Sequence, residues 1–206
     1  MVIVAQHARQ PLLSADLRAM FEARKRVFVD LLGWEVPVLA ERFELDQFDN
    51  EHAAYLIVTD VHGEHLASAR LLPSTRPHIL DSLFPQLCQT PSPRGPDVGG
   101  IARVCLARPG NARERRVARD RLVSAIVAYG LEHGIRTYLG VAEMGWLQQI
   151  LAFGWRCRPL GLPRVEDGRA LGALRIDIDA DTPALLASNG IYENVALEPA
   201  RLSAAA

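Results

Sequence analysis

Three carboxylates fall within six residues of this chain, in Glu44-Leu45-Asp46-Gln47-Phe48-Asp49. Like charges packed that closely repel one another unless a cation answers them. Arg24, Arg70 and Arg103 are the protein cations available for this, and a cationic ligand would serve equally. Arg24 and Phe28 lie four apart on what reads as the first helix, so they share a face. Trp34 follows just past that helix, and aromatic faces at Phe28 and Trp34 suit a cation. In an extended segment Glu44 and Asp46 point the same way. On spacing alone two readings stand: a site for a small charged ligand, or a core Phe28 beside carboxylates that form surface ion pairs.

The elements that must hold these residues follow from periodicity. Apolar residues recur at helical spacing from Ser14 to about Leu32 (Leu17, Met20, Phe21, Val27, Phe28, Leu31), with Ser14 as N-cap and Gly33 as stop. Trp34 to Asn50 reads as an ordered loop. Ala54 to Thr59 and His65 to Leu72 read as strands joined by a turn at His62-Gly63. A short helix is expected over His78 to Leu87. Thr90 to Gly100, with three prolines and three glycines, reads as a surface loop. Beyond it the pattern predicts a strand (Ile101 to Ala107), a helix (about Arg113 to His133) and a strand (Thr137 to Ala142). A helix (Met144 to Phe153), an extended segment (Trp155 to Leu160) and a core strand (Ala173 to Ile178) complete it. Strands followed by alternating helix and strand imply an α/β sandwich on a mixed sheet.

Composition narrows the function classes. The 206 residues suit one domain over residues 1–206, with a tail from about 195 read as loose. No apolar run reaches the roughly 18 residues of a membrane helix. Met1 to Gln10 lacks the pattern of a secretory signal. A net charge of -1 argues against a general nucleic-acid binder. Cys88, Cys105 and Cys157 form no Cys-x-x-Cys pair, so they are expected as buried thiols in a cytoplasmic protein. The six histidines show no ligand spacing, and no metal is expected.

The order of the whole set says more than any pair. Arg24-x3-Phe28, Trp34, Glu44-x-Asp46-x-Phe48-Asp49, Ala69-Arg70-Leu71-Leu72-Pro73 and Phe84-Pro85 resemble the LuxI-type acyl-homoserine lactone synthases, the autoinducer synthases of bacterial quorum sensing. The resemblance continues through Gly140-Val141, Gly161-x-Pro163, Asp167-Gly168 and Ile176-Asp177-Ile178, and spans roughly Leu17 to Thr182. It implies a three-layer α/β/α fold similar to the GCN-type N-acetyltransferases. It also implies a reaction that joins an acyl group, from acyl carrier protein or acyl-CoA, to S-adenosylmethionine. The α-amine attacks the thioester, and the methionyl carboxylate then displaces 5′-methylthioadenosine to close the lactone. S-adenosylmethionine enters as substrate and no cofactor is implied.

The resemblance also distributes roles. Asp46 and Asp49 would answer the positive groups of S-adenosylmethionine, Phe28 and Trp34 would line the sulfonium and adenosine, and Arg24 and Arg103 would hold its carboxylate or order the carboxylate network. Glu44 and Arg70 would brace that network, with Phe84 beside them. Val104, Ala142, Met144, Trp146, Leu147 and Leu151 would line the acyl pocket, and Ala142 points to an unsubstituted or 3-hydroxy chain. Arg113, Arg116, Arg156 and Arg158 are the candidates for docking the donor. The six arginines from Arg108 to Arg121 would suit an acidic carrier protein or a phosphopantetheine phosphate, or simply form a solvated face. A LuxR-type receptor would read the product.

One departure stands out. The family's third-strand motif usually reads Trp-Glu-x-Ser/Thr-Arg, with the glutamate as the expected base, whereas this chain has Gly99-Gly100-Ile101-Ala102-Arg103. An α-amine has a reference pKa of about 7.7 to 8.0, so part of it is neutral near neutrality. General-base help is worth about 10² to 10⁴-fold. A slow enzyme helped by Glu44, Asp46 or Asp97 fits this, as does a catalytically impaired homologue. A different GCN-type N-acyltransferase is the rival enzyme.

Overall fold

The computed structural model describes residues 1–6, 12, 14–107 and 110–200. His7, Arg108 and the tail past residue 200 lie outside the described residues. β1 (Val2–Gln6) precedes the first helix, α1 (Ala15–Arg24). Ser14 caps it as expected, its Oγ accepting from the Leu17 amide at 3.4 Å. Leu17, Phe21 and Arg24 recur at i, i+4 and i+7, so the face that buries the apolar pair buries Arg24 with it. The helix does not continue in α form to Leu32. It widens into a π-helical stretch, Lys25–Leu31, in which Phe28 is the buried residue.

The expected loop holds a small hairpin, β2 (Val38–Leu39) and β3 (Phe43–Glu44), with Ala40 and Glu41 left-handed at φ 50° and 56°. Pairing of Val38 with Glu44 and of Leu39 with Phe43 fixes the direction of Glu44. β4 (Ala54–Thr59) and β5 (His65–Pro73) stand where alternation placed them, and β4 is buried at every position. The short helix expected over 78–87 is divided into α2 (Ile79–Ser82) and a 3-10 turn at Pro85–Leu87. β6 (Val98–Leu106) starts ahead of the expected Ile101 and draws Gly99 and Gly100 out of the loop into the strand.

α3 (Ala112–Glu132), β7 (Thr137–Glu143), α4 (Met144–Leu151) and β8 (Arg156–Pro159) follow close to the expected bounds. β9 (Arg164–Glu166) and β10 (Arg169–Asp177) form a hairpin whose turn, Asp167-Gly168, has positive φ at both residues (49° and 76°), as a two-residue primed turn requires. α5 (Thr182–Ser188) and β11 (Leu197–Pro199) complete the chain.

The chain divides into two compact units where the sequence shows no boundary: Met1–Arg70 with Arg103–Ala125 and the stretch from Asn194, and Leu71–Ala102 with Ile126–Glu193. In the first, the strand order is β11-β1-β4-β5-β6, with β1 parallel to β11 and antiparallel to β4. Leu197–Pro199 is therefore paired strand, which corrects the loose tail expected from about residue 195. In the second, β6 runs parallel to β7 from Val98↔Thr137 to Ile101↔Gly140, and β10 is antiparallel to β7, β8 and β9. This is an α/β fold on a mixed sheet, the class expected. Among the described residues no helix is long and apolar enough to cross a membrane.

All three cysteines are free thiols, but only Cys105 is fully buried, and burial pushes its thiol up to about 12. Cys88 and Cys157 are half-buried, which corrects the expectation for them.

Gly161 marks a backbone approach in the second unit. A Cβ there would lie 2.4 Å from the Leu87 carbonyl oxygen and 3.2 Å from the Gln89 nitrogen. Those are main-chain atoms in a segment where Gln89 N–H donates to Leu160 O at 2.9 Å, so they cannot rotate aside. Gly161→Ala is expected to destabilise by about 1–3 kcal/mol, seen as a lower urea midpoint at unchanged slope. An unmoved midpoint would show that this approach relaxes freely.

Candidate active site

The three carboxylates and three arginines close into a ring of alternating charge, all of it within the first unit. Arg24 Nε donates to Glu44 Oε2 at 2.5 Å, while its two terminal nitrogens hold Asp49 end-on, both at 2.9 Å. Arg70 Nη1 reaches Asp49 Oδ1 at 2.9 Å, and Arg70 takes Asp46 in two-pronged fashion at 2.6 and 3.1 Å. Arg103 closes the circuit, with Nη2 2.8 Å from Asp46 Oδ2 and Nε 3.0 Å from Glu44 Oε1. Each cation bridges two anions and each anion two cations, so the formal charge sums to zero. Two-pronged geometry is the arginine–carboxylate arrangement of greatest strength and direction.

Burial grades around the ring. Side chains of Glu44, Asp49 and Arg70 are fully enclosed and Arg24 nearly so, while Asp46 is 6% and Arg103 12% exposed. Asp49 is further saturated by the Tyr55 hydroxyl at 3.0 Å and the Asp46 amide at 2.9 Å. Burial opposes its ionisation, but the charges of Arg24 and Arg70 outweigh that and hold the carboxyl well below the usual range. Burial likewise works against the Arg24 cation, and Asp49 and Glu44 more than restore it. Only the Arg103–Asp46 edge of the ring retains measurable contact with solvent.

Aromatic rings flank that edge. Phe28 and Trp34 stack at 4.7 Å with planes 13° apart, and the Arg103 guanidinium lies 5.7 and 6.0 Å from their centroids. Arg103 itself sits within β6 at φ 51°, a left-handed conformation unusual for a non-glycine residue. Arg24 lies over Phe21 at 5.1 Å and Arg70 over Phe48 at 5.7 Å. Thus Phe28 is a core residue, as the plainer reading has it, but the ion pairs are buried rather than on the surface.

The remaining expected residues are not members of the ring. Phe84 packs on the apolar cluster of Leu80, Leu87, Val98, Leu139 and Ala173 in the second unit. Gly100 borders a small cavity with Leu72, His78, Ala102, Leu139 and Val141. None of the six expected acyl-pocket residues borders that cavity. Leu147 packs onto Gly172, Trp146 meets Phe153 edge-on at 5.9 Å, Val104 is half-buried on β6, Ala142 is buried on β7 and Met144 is half-buried. Leu151 is 37% exposed.

Arg113 and Arg116 are exposed on the first turns of α3, which Asn111 and Glu114 cap reciprocally. Arg113 borders an open cavity together with Arg26, Arg115 and Arg121. Arg158 is exposed on β8, whereas Arg156 is engaged by Asp179 and Asp181. Among the described residues no group of His, Cys, Asp or Glu is placed to hold a metal ion.

Sequence reasoning did not single out Tyr55. Its signal was present: a hydroxyl inside an otherwise apolar buried strand must find a partner, and this one finds Asp49.

Comparison with known proteins supplies the relatives of this chain. The family model described as autoinducer synthase matches residues 9–185. An acyl-homoserine-lactone synthase of Ralstonia nicotianae is 34% identical over 178 residues, covering 84% of this chain and 87% of its own. The crystal structure of TofI in a ternary complex with an inhibitor and MTA superposes with a TM-score of 0.76 at 33% identity, covering 91% of this chain and 96% of its own. An acyl-CoA N-acyltransferase from Pseudomonas aeruginosa shares the fold, with a TM-score of 0.56 at 18% identity over 85% of this chain and 98% of its own.

Removing one ring member strands its partners. Asp49→Asn is expected to destabilise the protein by about 3–5 kcal/mol at pH 7, because Arg24 and Arg70 lose a buried counter-charge. Since the folded-state pKa of Asp49 is depressed, its stabilisation is complete above the unfolded value of about 3.9 and is lost as pH falls further. The gap between unmodified and variant protein should therefore narrow below about pH 4 in urea titrations. A gap constant with pH would show that Asp49 is not the ionised partner.

Proposed function

The chain belongs to the autoinducer synthase family and is an acyl-homoserine-lactone synthase, an acyltransferase; we propose that it joins an acyl group from acyl carrier protein or acyl-CoA to S-adenosylmethionine, closes the lactone and releases 5′-methylthioadenosine. The single observation that carries this reading is the open Arg103–Asp46 edge of an otherwise sealed ring, with the Phe28–Trp34 stack beside it. S-adenosylmethionine combines a sulfonium, an ammonium and a carboxylate. Arg103 matches the carboxylate, Asp46 the ammonium, and the aromatic stack the sulfonium and adenosine.

The closed part of the ring has another role in this reading. Both oxygens of Asp49 and all three guanidinium nitrogens of Arg24 are already engaged by the protein. These residues therefore hold the geometry together with Glu44 and Arg70, and Asp46 and Arg103 meet the ligand. A pre-formed ring of this kind costs little reorganisation when charge moves during reaction. The thioester donor brings phosphate or an acidic carrier surface, and Arg113 and Arg116 on α3 and Arg158 on β8 are the exposed cations suited to it. S-adenosylmethionine is substrate here, and the reaction needs no further cofactor. A LuxR-type receptor for the product fits the same reading.

A second reading, a homologue that binds these substrates without turnover, is favoured by Gly100. A Cβ there would meet only ordinary contacts, Leu72 Cβ and O at 3.8 Å and His78 Cβ at 4.0 Å, so the first side-chain carbon of a glutamate meets no steric conflict. Mass spectrometry of purified protein with S-adenosylmethionine and a panel of acyl thioesters separates the readings. The expected result is both methylthioadenosine and an acyl-homoserine lactone from the unmodified protein. Products from Gly100→Glu alone would establish the impaired homologue. Acylated product without methylthioadenosine would indicate a different N-acyltransferase.

A further inference from the structure

One hydroxyl ties the charge ring to the sheet. Tyr55 stands on β4, paired with Ala5 of β1, and is 1% exposed. Its ring packs against Phe21 of α1, edge-on at 5.8 Å and 80°. From there the hydroxyl donates to Asp49 Oδ1 at 3.0 Å. Charge fixes the direction of this bond. Arg24 and Arg70 keep Asp49 ionised, so it can only accept. Burial, and after it the Asp49 charge, push the Tyr55 phenol well above its usual pKa, so it stays protonated and donates.

Tyr55 differs from the arginines in having a single partner. Arg24 divides itself between Asp49 and Glu44. Arg70 Nη1 is shared by Asp49 Oδ1 at 2.9 Å and Asp46 Oδ1 at 2.6 Å. A ligand ammonium that draws Asp46 outward therefore draws on the same nitrogen that holds Asp49. The Tyr55 hydroxyl meets that same Asp49 oxygen and, among the described residues, no other acceptor. The second Asp49 oxygen accepts from the Asp46 amide at 2.9 Å. A path of two hydrogen bonds thus runs from a paired strand through Asp49 to the main chain of Asp46. All of it lies within the first unit.

We propose that Tyr55 is a positioning residue for the amine substrate: its hydroxyl fixes Asp49, Asp49 fixes the Asp46 main chain, and this sets how tightly the open Arg103–Asp46 edge binds a sulfonium amino acid. The assignment rests on the S-adenosylmethionine reading above. Tyr55 acts through Asp49 and Asp46, and no proton leaves it. Without the hydroxyl, Asp49 Oδ1 keeps Arg24 and Arg70, so the charge balance of the ring survives. What is lost is the one donor that does not also serve Asp46 or Glu44. Asp46 must then be ordered by the ligand, and binding bears the cost of that ordering. The chemical step is untouched once substrate is bound, because the complex contains the same reacting groups.

The test titrates S-adenosylmethionine calorimetrically into unmodified protein, Tyr55→Phe and Tyr138→Phe. Tyr138→Phe makes the same change at a buried tyrosine of the second unit, whose hydroxyl has no partner among the described residues. Tyr55→Phe is expected to raise Kd about tenfold, the factor carried by one hydrogen bond to a charged group. Tyr138→Phe is expected to leave it unmoved. In turnover, KM for S-adenosylmethionine is expected to rise while kcat and the thioester KM change little, a split that loss of folded protein would not produce. A Tyr55→Phe Kd within about twofold of the unmodified value, or a fall in kcat at unchanged KM, would overturn the assignment and leave the synthase reading intact. Binding without methylthioadenosine or lactone from the unmodified protein would overturn the synthase reading alone, the Kd comparison still deciding the role of Tyr55. No binding to the unmodified protein would overturn both. Should Tyr55→Phe fail to fold, 3-fluorotyrosine at position 55 replaces it. Its more acidic hydroxyl is expected to shift Kd by about twofold or more, and an unmoved Kd would overturn the assignment.

Discussion

Six buried charges can share one site only if they neutralise one another pairwise, and this constraint organises the first unit. Moving a carboxylate or guanidinium out of water costs several kcal/mol even after relaxation, and one counter-charge rarely recovers it. The ring gives every member two counter-charges. Its members come from α1, β3 and the segment that follows it, β5 and β6, so closing it requires all of these to arrive together. The features that look irregular serve that closure. The hairpin at Ala40-Glu41 directs Glu44 inward, and the left-handed backbone at Arg103 presents its guanidinium to Glu44 and Asp46 at once.

Neutrality does not make the ring uniform. Asp49 is held from four directions, by Arg24, Arg70, Tyr55 and the Asp46 amide, so it has no capacity left for a ligand. Arg103 is held from one side and lies against an aromatic stack on the other. A ligand carrying both signs of charge can exchange with the Arg103–Asp46 pair without leaving either ion unpaired. The sealed members keep the geometry fixed while that exchange happens. Preorganisation and ligand access are thus divided among residues of the same chemical types.

The second unit solves a different problem. Its cavity beside Gly100 is lined by apolar side chains, main-chain groups and one imidazole, whose pKa burial holds below its usual value.

The sequence by itself determined the composition of the site. Arg24, Phe28, Trp34, Glu44, Asp46, Asp49, Arg70 and Arg103 were legible because charge, helical spacing and motif order are local properties, and the same locality exposed β4, β5, α3 and β7. It could not distinguish the sealed Asp49 from the accessible Asp46, since both are aspartates of one segment and differ in what Arg24 and Tyr55 bring to the one and Arg103 to the other. Nor could it place Phe84 in an apolar cluster, or pair Leu197–Pro199 with β1, or set His78 against Gly100. Those facts depend on contacts between residues distant in the chain, and pattern along the chain carries no record of them. Residue type fixed which charges had to be answered, and only the tertiary structure decided which of them remained open to a ligand.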